Sequence, residues 1–460
     1  MLGIGAIVGA GIFATIGTAA AGDATRPGAG PALIVSFVIT GIACGFAALC
    51  YAEFAAMVPI SGSAYTYAYA TLGELVAWII GWDLIIEYAV GNVAVAISWG
   101  NYFKTLMSGF GLVIPDWLST DYRTAARIPG LFEQAPHLFG VPIVFNVLAV
   151  GIVALITLVL VLGIRESATI NSAMVGLKLI VLGFFVIVGW SATKGANFHP
   201  FAPNGWAGVQ AGAAIVFFAY IGFDAVSTVA EETRNPSRDL PIGIIGSLVI
   251  CTIIYVVVAA VFAGIMPYDV LRQRLATEQA EPLTMALQYA NIGRWGNVSV
   301  GIVAFGSVVA HTAVLLVFQL GQPRIFFSMA RDGLLPASFA RVHPRFHTPH
   351  VTTILTGVAV GVCSMFTSID EMVDLTNIGT LFAFILVCIG ILILRKRDPH
   401  RPRAFKTPWV PAVPLLGVAS CLYLMLGLPW ITWIRFALWL AVGLVVYASY
   451  GFRRSGLART

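Results

Sequence analysis

Lys178, Asp83 and Glu87 lie inside long apolar stretches of this sequence, where an ionisable side chain requires a partner or a task. Lys178 is the clearest case, because it lies in the apolar segment 174–182, too deep to reach water comfortably. Burial disfavours the charged amine, so a lysine at this position is a candidate proton carrier. The alternative is a lysine held permanently by backbone carbonyls as a structural link.

Asp83 and Glu87 are four residues apart and therefore share one face of a helix. Two carboxylates in a medium of low dielectric constant tend to keep one member protonated, so Glu87 is a candidate to bind a proton or a substrate amine. If Asp83 lies near the lipid headgroups instead, Glu87 is alone. A structural role for Glu87 is then as well supported as a functional one.

Three other ionisable residues in apolar stretches have structural interpretations. Asp224 lies at an interruption of a helix and is expected to cap it rather than to touch a substrate. Glu53 is expected to be a gate or pairing residue, and His311 a hydrogen-bonded histidine of the core.

Glycine interrupts two of the apolar stretches, at residues 9–13 and, about half the chain later, at residues 219–224. Inside a bilayer, N–H and C=O groups freed from a helix are tolerated only where they line a cavity or bind a ligand. Paired interruptions therefore predict a substrate site. The alternative is close helix packing, since Gly5 and Gly9 also form a GxxxG spacing.

The elements that must position these residues are membrane-spanning helices. Of the 460 residues, 59% are hydrophobic and only 10% are charged, against about 25% charged residues in an ordinary soluble domain. Twelve apolar stretches are long enough to cross a bilayer. They run near 2–21, 32–57, 75–107, 143–162, 168–191, 207–231, 240–266, 292–320, 350–367, 373–394, 410–428 and 432–452.

The order of the spans predicts an internal repeat. Spans 1 to 5 (1–191) and spans 6 to 10 (207–394) form two five-helix halves that each open with an interrupted span, and spans 11 and 12 (410–452) follow. An odd number of spans per half inverts the second half. The predicted fold is an all-α membrane protein with twelve transmembrane helices and a five-plus-five inverted repeat. Spans 1 and 6 are its discontinuous helices, and residues 1–460 form a single transmembrane domain.

Lysine and arginine are distributed unequally between the two sides of this arrangement. If the amino terminus is cytoplasmic, 16 of them lie on the inside and 9 on the outside, as the positive-inside rule requires. We therefore expect a multi-pass protein of the cell (plasma or cytoplasmic) membrane with both termini in the cytoplasm. The basic segment 395–406 is then a membrane-surface feature, and nucleic acid is not an expected partner.

Several kinds of chemistry are not expected. The six cysteines lie in apolar spans without a CxxC or Cys/His cluster, which is typical of core residues rather than disulfides or metal ligands. Phosphate-loop, protease and metal-hydrolase motifs are absent from the sequence. Residues 2–17 lack the basic segment of a cleaved signal peptide. The sequence thus predicts neither an enzyme nor a cofactor, and transport would have to run on a gradient.

Ordered motifs over essentially the whole chain resemble the amino acid-polyamine-organocation superfamily, specifically its cationic amino acid transporter branch. They are GAGIF (9–13), the turn PISGSAYTY (59–67), FAYIGFD (218–224), EETRNP (231–236), and GQPR (321–324) with RDGLLP (331–336). Members of that family carry a cytoplasmic tail before span 1, whereas Gly9 here is eight residues after Met1. We therefore expect a truncated start or an internal methionine.

The resemblance implies the five-plus-five fold and a site at the two interruptions. In that family, freed N–H groups of span 1 bind the substrate carboxylate, and freed carbonyls of span 6 meet the α-amine. The matching positions here are Ala10, Gly11 and Ile12 for the carboxylate and Phe218, Ala219 and Ile221 for the amine. Lys178 matches a lysine that occupies the place of the sodium ion of sodium-coupled relatives, which implies proton coupling.

We therefore expect a secondary active amino acid transporter that imports its substrate with protons by alternating access, with the amino acid, protons and membrane lipid as its partners. Lys178 and Glu87 are the candidates for proton coupling, and Phe318 in span 8 is a candidate for the pocket wall. Two alternatives stay open: an amino acid/polyamine exchanger, and a membrane sensor that binds amino acids without transporting them. The choice between cationic and small neutral substrates also stays open.

Overall fold

The structure is a computed structural model that describes residues 2–57, 63–163, 168–227, 233, 235–277, 281–290, 293 and 296–454. Nine helices of this described part are long and apolar enough to cross a membrane. Three shorter apolar helices, at Val147–Val161, His350–Phe366 and Ala412–Met425, lie where the sequence predicts spans 4, 9 and 11. The architecture is that of a mostly helical membrane protein, and the count of twelve spans and the inverted repeat stay predictions.

The first part of the chain contains ten α-helices within the described ranges. They are α1 (Leu2–Ile7), α2 (Ile16–Ala21), α3 (Leu33–Met57), α4 (Ser63–Thr71), α5 (Glu74–Ile85), α6 (Gly91–Gly109), α7 (Tyr122–Ala125), α8 (Leu131–Gln134), α9 (Val147–Val161) and α10 (Ala168–Trp190). A π-helical turn at Ile86–Val90 joins α5 to α6 without a break. Between α8 and α9, β1 (His137–Leu138) and β2 (Val141–Pro142) form an antiparallel hairpin.

The second part contains ten more. They are α11 (Gly205–Val216), α12 (Pro236–Ile265), α13 (Tyr268–Thr277), α14 (Pro282–Ala290), α15 (Gly296–Arg331), α16 (His350–Phe366), α17 (Ile369–Arg397), α18 (Ala412–Met425), α19 (Trp430–Val446) and α20 (Phe452–Arg454). Proline occupies the first turn of α12, where its missing N–H has no helical partner to lose.

One segment differs from its predicted structure. The sequence motif 59–67 is interpreted above as a turn, but α4 begins at Ser63, and residues 59–62 lie outside the described part. No glycine or proline occurs between Ser63 and Leu72, so nothing in this segment interrupts a helix. The chain instead reverses at Gly73, whose φ of 101° suits glycine, and α4 packs against α5.

The surface of the bundle is apolar, as expected of helices that face lipid. Large apolar side chains on α10, α12, α16 and α19 are exposed, and Ile187 reaches 75%. The interior holds the ionisable residues named above, since Glu53, Asp83, Glu87, Lys178, Asp224 and His311 are each at most 1% exposed. Five of the six cysteines are buried in agreement with the core interpretation, whereas Cys363 on α16 is exposed.

At one end of the bundle Glu53 binds two arginines. Its carboxylate lies 2.8 Å from Arg395 Nη2 and 3.0 Å from Arg403 Nε, and it accepts a hydrogen bond of 2.7 Å from the Thr407 amide. These contacts fasten α3 to the end of α17 and to the segment that follows. We call this the Arg395 end, and Glu53 is a pairing residue there.

At the opposite end Arg26 connects the segment after α2 to the start of α17. Its guanidinium lies 2.9 Å from Asp23 Oδ2 and 2.8 Å from Asp374 Oδ1. The Thr18 hydroxyl also donates to Asp370, over 3.4 Å. We call this the Arg26 end. α17 therefore ties together both ends of the bundle.

We expect Glu53→Ala to destabilise the protein strongly, because it leaves the guanidinium of Arg403, whose side chain is 2% exposed, buried without its partner. Breaking a buried ion pair in this way typically costs about 3–5 kcal/mol. Thermal unfolding in detergent measures the effect. Lys104→Ala is the control, because the Lys104 and Asp116 pair is exposed, and equal unfolding temperatures for the two variants would contradict the expectation.

Candidate functional site

The first span is interrupted between α1 and a π-helical turn, Gly11–Thr15, which continues into α2. A helix that starts afresh leaves its first amide N–H groups without partners. These groups carry partial positive charge, which suits an anion such as a carboxylate. The residues predicted to bind the carboxylate, Ala10, Gly11 and Ile12, lie at this new start and are buried.

The carbonyl end of α1 is held by side chains from two other helices. Lys178 Nζ, on α10, donates to Gly5 O over 2.6 Å and to Val8 O over 2.9 Å. The Tyr255 hydroxyl, on α12, donates to Ile7 O over 2.9 Å. The last four carbonyls of a helix have no helical partner. Gly5 and Ile7 supply two of them in α1, and Val8 follows the helix directly. Within the described ranges no carboxylate lies within ion-pair distance of Lys178.

The second interruption follows α11. A short 3₁₀ turn, Phe217–Tyr220, leads to an extended Ile221 and to Gly222, whose φ is 114°. Ala219 O lies 2.9 Å from the same Tyr255 hydroxyl that binds α1, and it shares the single proton of that hydroxyl with Ile7 O. Ala219 was predicted to meet the substrate amine, and a carbonyl has a second lone pair for that purpose.

The two interruptions cross at glycines. A Cβ added to Gly11 would overlap the Cα of Ala219, and one added to Gly222 would lie 2.8 Å from the Ala6 carbonyl oxygen. Each glycine thus lets its own chain approach the backbone of the other interruption. Close packing is therefore a feature of this crossing, and a shared substrate site there stays a prediction. The crossing brings the predicted carboxylate and amine positions together.

Phe318 on α15 lies beside this crossing. One helical turn away on the same face, Val314 fills the space next to Gly9. The Phe318 ring packs edge-on against Tyr88, with 5.7 Å between the ring centroids, and its edge faces Gly91. Phe318, Phe218 and Ile221 are each at most 5% exposed.

Glu87 lies in the π-helical turn of span 3 and is 1% exposed. Its neighbour Tyr88 donates to Asp224 Oδ2 over 3.3 Å, so the carboxylate of Asp224 contacts span 3. Glu87 Oε1 and Asp224 Oδ1 have no hydrogen-bond partner among the described residues. The structure thus groups two carboxyls and a tyrosine next to Phe318.

Burial bears on two of these ionisable residues. Asp83 is 1% exposed, so the protein itself encloses its carboxyl, and its depth relative to the lipid headgroups stays a prediction. His311 is a hydrogen-bonded core residue, since its ring nitrogens lie 2.7 Å from Ser307 O and 2.8 Å from the Ser98 hydroxyl. No group of three potential metal ligands occurs in the described ranges.

Sequence reasoning missed Tyr255, Tyr88 and Asn377. Asn377, on α17, donates to Ala214 O over 2.8 Å at the end of α11. All three are polar residues in apolar helices, close in space to an interruption. A search for such residues would have found them, but their partners depend on tertiary contacts.

Several known transport proteins are similar to this chain in sequence. The sequence matches the amino acid permease family over residues 1–449. A branched-chain amino acid permease of Bacillus subtilis is 46% identical over 457 residues, which cover 99% of this chain and 92% of that protein. A methylthioribose transporter of the same organism is 43% identical over 455 residues, with the same coverage of 99% and 92%. A vacuolar cationic amino acid transporter of Arabidopsis thaliana is 37% identical over 407 residues, which cover 86% of this chain and 62% of that protein.

These matches confirm the resemblance drawn from the motifs. They extend over nearly the whole chain, and the relatives are permeases and transporters rather than enzymes. The chain therefore belongs to the amino acid permease family, within the amino acid-polyamine-organocation superfamily of membrane transporters.

Proposed function

We propose that the protein is a secondary active transporter that imports a neutral amino acid with an apolar side chain, together with a proton, by alternating access. The observation that carries the proposal is the crossing of the two interrupted spans. The amide end of one faces the carbonyl end of the other, and Gly11 lies against Ala219. An α-amino acid has a carboxylate and an ammonium on one carbon, so it fits this pair of helix ends.

The apolar surroundings of the crossing favour an apolar substrate side chain. Val314 and Phe318 lie on one face of α15 next to it. A cationic side chain could be buried there only if Glu87 or Asp224, the carboxyls next to Phe318, paired with it, and we assign Glu87 to the proton instead. The name of the Bacillus relative, a branched-chain amino acid permease, agrees with this choice. The second Bacillus relative is named a methylthioribose transporter, but methylthioribose has neither a carboxylate nor an amine to bind the helix ends.

Lys178 and Glu87 are the groups to which we assign proton coupling. The ammonium of Lys178 is held by the Gly5 and Val8 carbonyls of α1. Losing the proton would weaken these bonds, and the change would bias the orientation of α1. The positive-inside bias places the Arg395 end and both termini in the cytoplasm.

We expect proteoliposomes containing the protein to accumulate leucine, isoleucine or valine against a concentration gradient when an inward proton gradient is imposed. Arginine, lysine and methylthioribose are expected to accumulate far less under the same conditions. Radiolabelled uptake, with and without the pH gradient, measures this. Counterflow of amino acid without any pH dependence would favour an exchanger, and binding without uptake would favour a sensor. Selective uptake of arginine would contradict the apolar pocket.

We expect Gly11→Val to lower substrate affinity by at least about tenfold, or about 1.4 kcal/mol, because the added side chain forces the interruptions apart at Ala219. Substrate-dependent shifts of the unfolding temperature in detergent measure the affinity. Gly45→Val is the matched control, since a Cβ at Gly45 meets nothing within 4 Å. Unchanged affinity in a Gly11→Val protein that reaches the membrane would show that the crossing serves packing alone.

We expect Lys178→Ala to lose proton-driven accumulation more completely than it loses substrate binding. The substitution removes the titrating amine but leaves the Gly11 and Ala219 crossing in place. The measurements are uptake under a pH gradient and binding in detergent. Lys194→Ala, at an exposed lysine, is the control. If Lys178→Ala still accumulates substrate with a pH gradient, the coupling role passes to Glu87.

A further inference from the structure

Asp83 is a buried carboxyl without a partner. It is 1% exposed, and neither Oδ1 nor Oδ2 has a hydrogen-bond partner among the described residues. No cation of the described part lies within ion-pair distance of it. An ionised carboxylate in these surroundings would be very costly, which favours the neutral, proton-carrying form of Asp83.

The Asp83 side chain lies against α17 at Gly379, where the absence of a side chain leaves room for the carboxyl. A Cβ on Gly379 would lie 3.0 Å from Asp83 Oδ1, so the carboxyl rests against the backbone of α17. The next residue, Thr380, is buried, and its hydroxyl lies beside the Glu87 carboxyl. Buried polar groups thus extend from Glu87 through Thr380 toward Asp83.

Few titratable groups face this part of α5. Glu87 is on the same helix, one turn or about 6 Å farther along its axis, and Asp224 reaches Tyr88 from the second interruption. Tyr65 of α4 and Asp332, which follows α15, pair with each other over 2.8 Å, and Tyr65 lies next to Gly81. At the level of Asp83, α17 presents Gly379 and Thr380, and α19 presents Trp439 to Trp82 on another face. Among the described residues, Glu87 is therefore the titratable group whose charge acts on Asp83.

The position of Asp83 along the bundle indicates toward which end its proton would be released. Leu72, just before α5, lies beside Phe54 of α3 at Gly390 of α17. Asp83 lies at Gly379, farther from Arg395, so α5 runs away from the Arg395 end. Asp83 therefore lies nearer to the Arg395 end than Glu87 does. The proposed function places that end in the cytoplasm.

We propose that Asp83 is a second proton-carrying group of the transport cycle, which receives the proton of Glu87 and delivers it toward the Arg395 end. This inference rests on the proposed proton coupling. When the Arg395 end opens to water, the neutral Asp83 releases its proton to that water and becomes a carboxylate. Glu87 then gives its proton to Asp83, through the Thr380 hydroxyl or a water molecule, and Asp83 is neutral again.

Asp83→Asn tests the proposal, because asparagine keeps the shape of a neutral aspartic acid but cannot release a proton. We expect the variant to keep substrate counterflow, measured without a pH gradient in proteoliposomes, within about twofold of the unsubstituted protein. Proton-driven accumulation should fall by at least about tenfold. Accumulation should also become insensitive to the internal pH, and Asp83→Glu should restore both properties.

Thr356→Val is the matched control, because it removes a buried hydroxyl on α16 that has no partner in the described part of the chain. If Asp83→Asn accumulates substrate and responds to the internal pH as the unsubstituted protein does, the proposed role of Asp83 is wrong. The proposed coupling is then unaffected. Loss of counterflow together with accumulation also overturns the role of Asp83, since Asp83 would then act on substrate passage. If the unsubstituted protein accumulates nothing under a pH gradient, the proposed coupling fails, and this inference fails with it.

Discussion

The carbonyl end of α1 is the point on which the rest of the site depends. A helix that stops inside a membrane protein leaves its last carbonyls without backbone partners, and no water of the bilayer core can satisfy them. Lys178 and Tyr255 supply the missing donors to Gly5, Ile7 and Val8. Because these donors come from α10 and α12, the end of α1 is fixed relative to both helices. The turn that follows, Gly11–Thr15, holds the amide groups to which we assign the substrate carboxylate.

Tyr255 gives this arrangement a second link. Its hydroxyl oxygen lies 2.9 Å from Ile7 O of the first interruption and 2.9 Å from Ala219 O of the second, so the two carbonyls share its one proton. The glycines at the crossing, Gly11 and Gly222, allow the two backbones to approach each other without side chains between them. A change in the protonation of Lys178 would therefore act on a junction that both interruptions share. This is the physical basis for linking a proton to the orientation of the substrate site.

The sequence was sufficient to predict the helical membrane fold, the two interruptions and the depth of Lys178. These features follow from apolar run length, from glycine inside apolar runs and from the cost of a buried amine, which are all local properties. The partners across the fold could not be predicted in the same way. A tyrosine such as Tyr255 fits an apolar helix equally well as a packing residue, and its bonds to Ile7 and Ala219 join segments far apart in the chain. The burial of Asp83 likewise depends on Gly379 of α17, which its own helix does not reveal.

The central claim is that the two interruptions bind both charged groups of one α-amino acid. Thermal unfolding in detergent tests it directly, with the transported amino acid, its amide and its deaminated carboxylic acid added at equal concentration. We expect the amino acid to raise the unfolding temperature and neither analogue to do so. The amide lacks the carboxylate that binds one helix end, and the deaminated acid lacks the ammonium that binds the other. Equal stabilisation by the amide or by the deaminated acid would contradict the central claim.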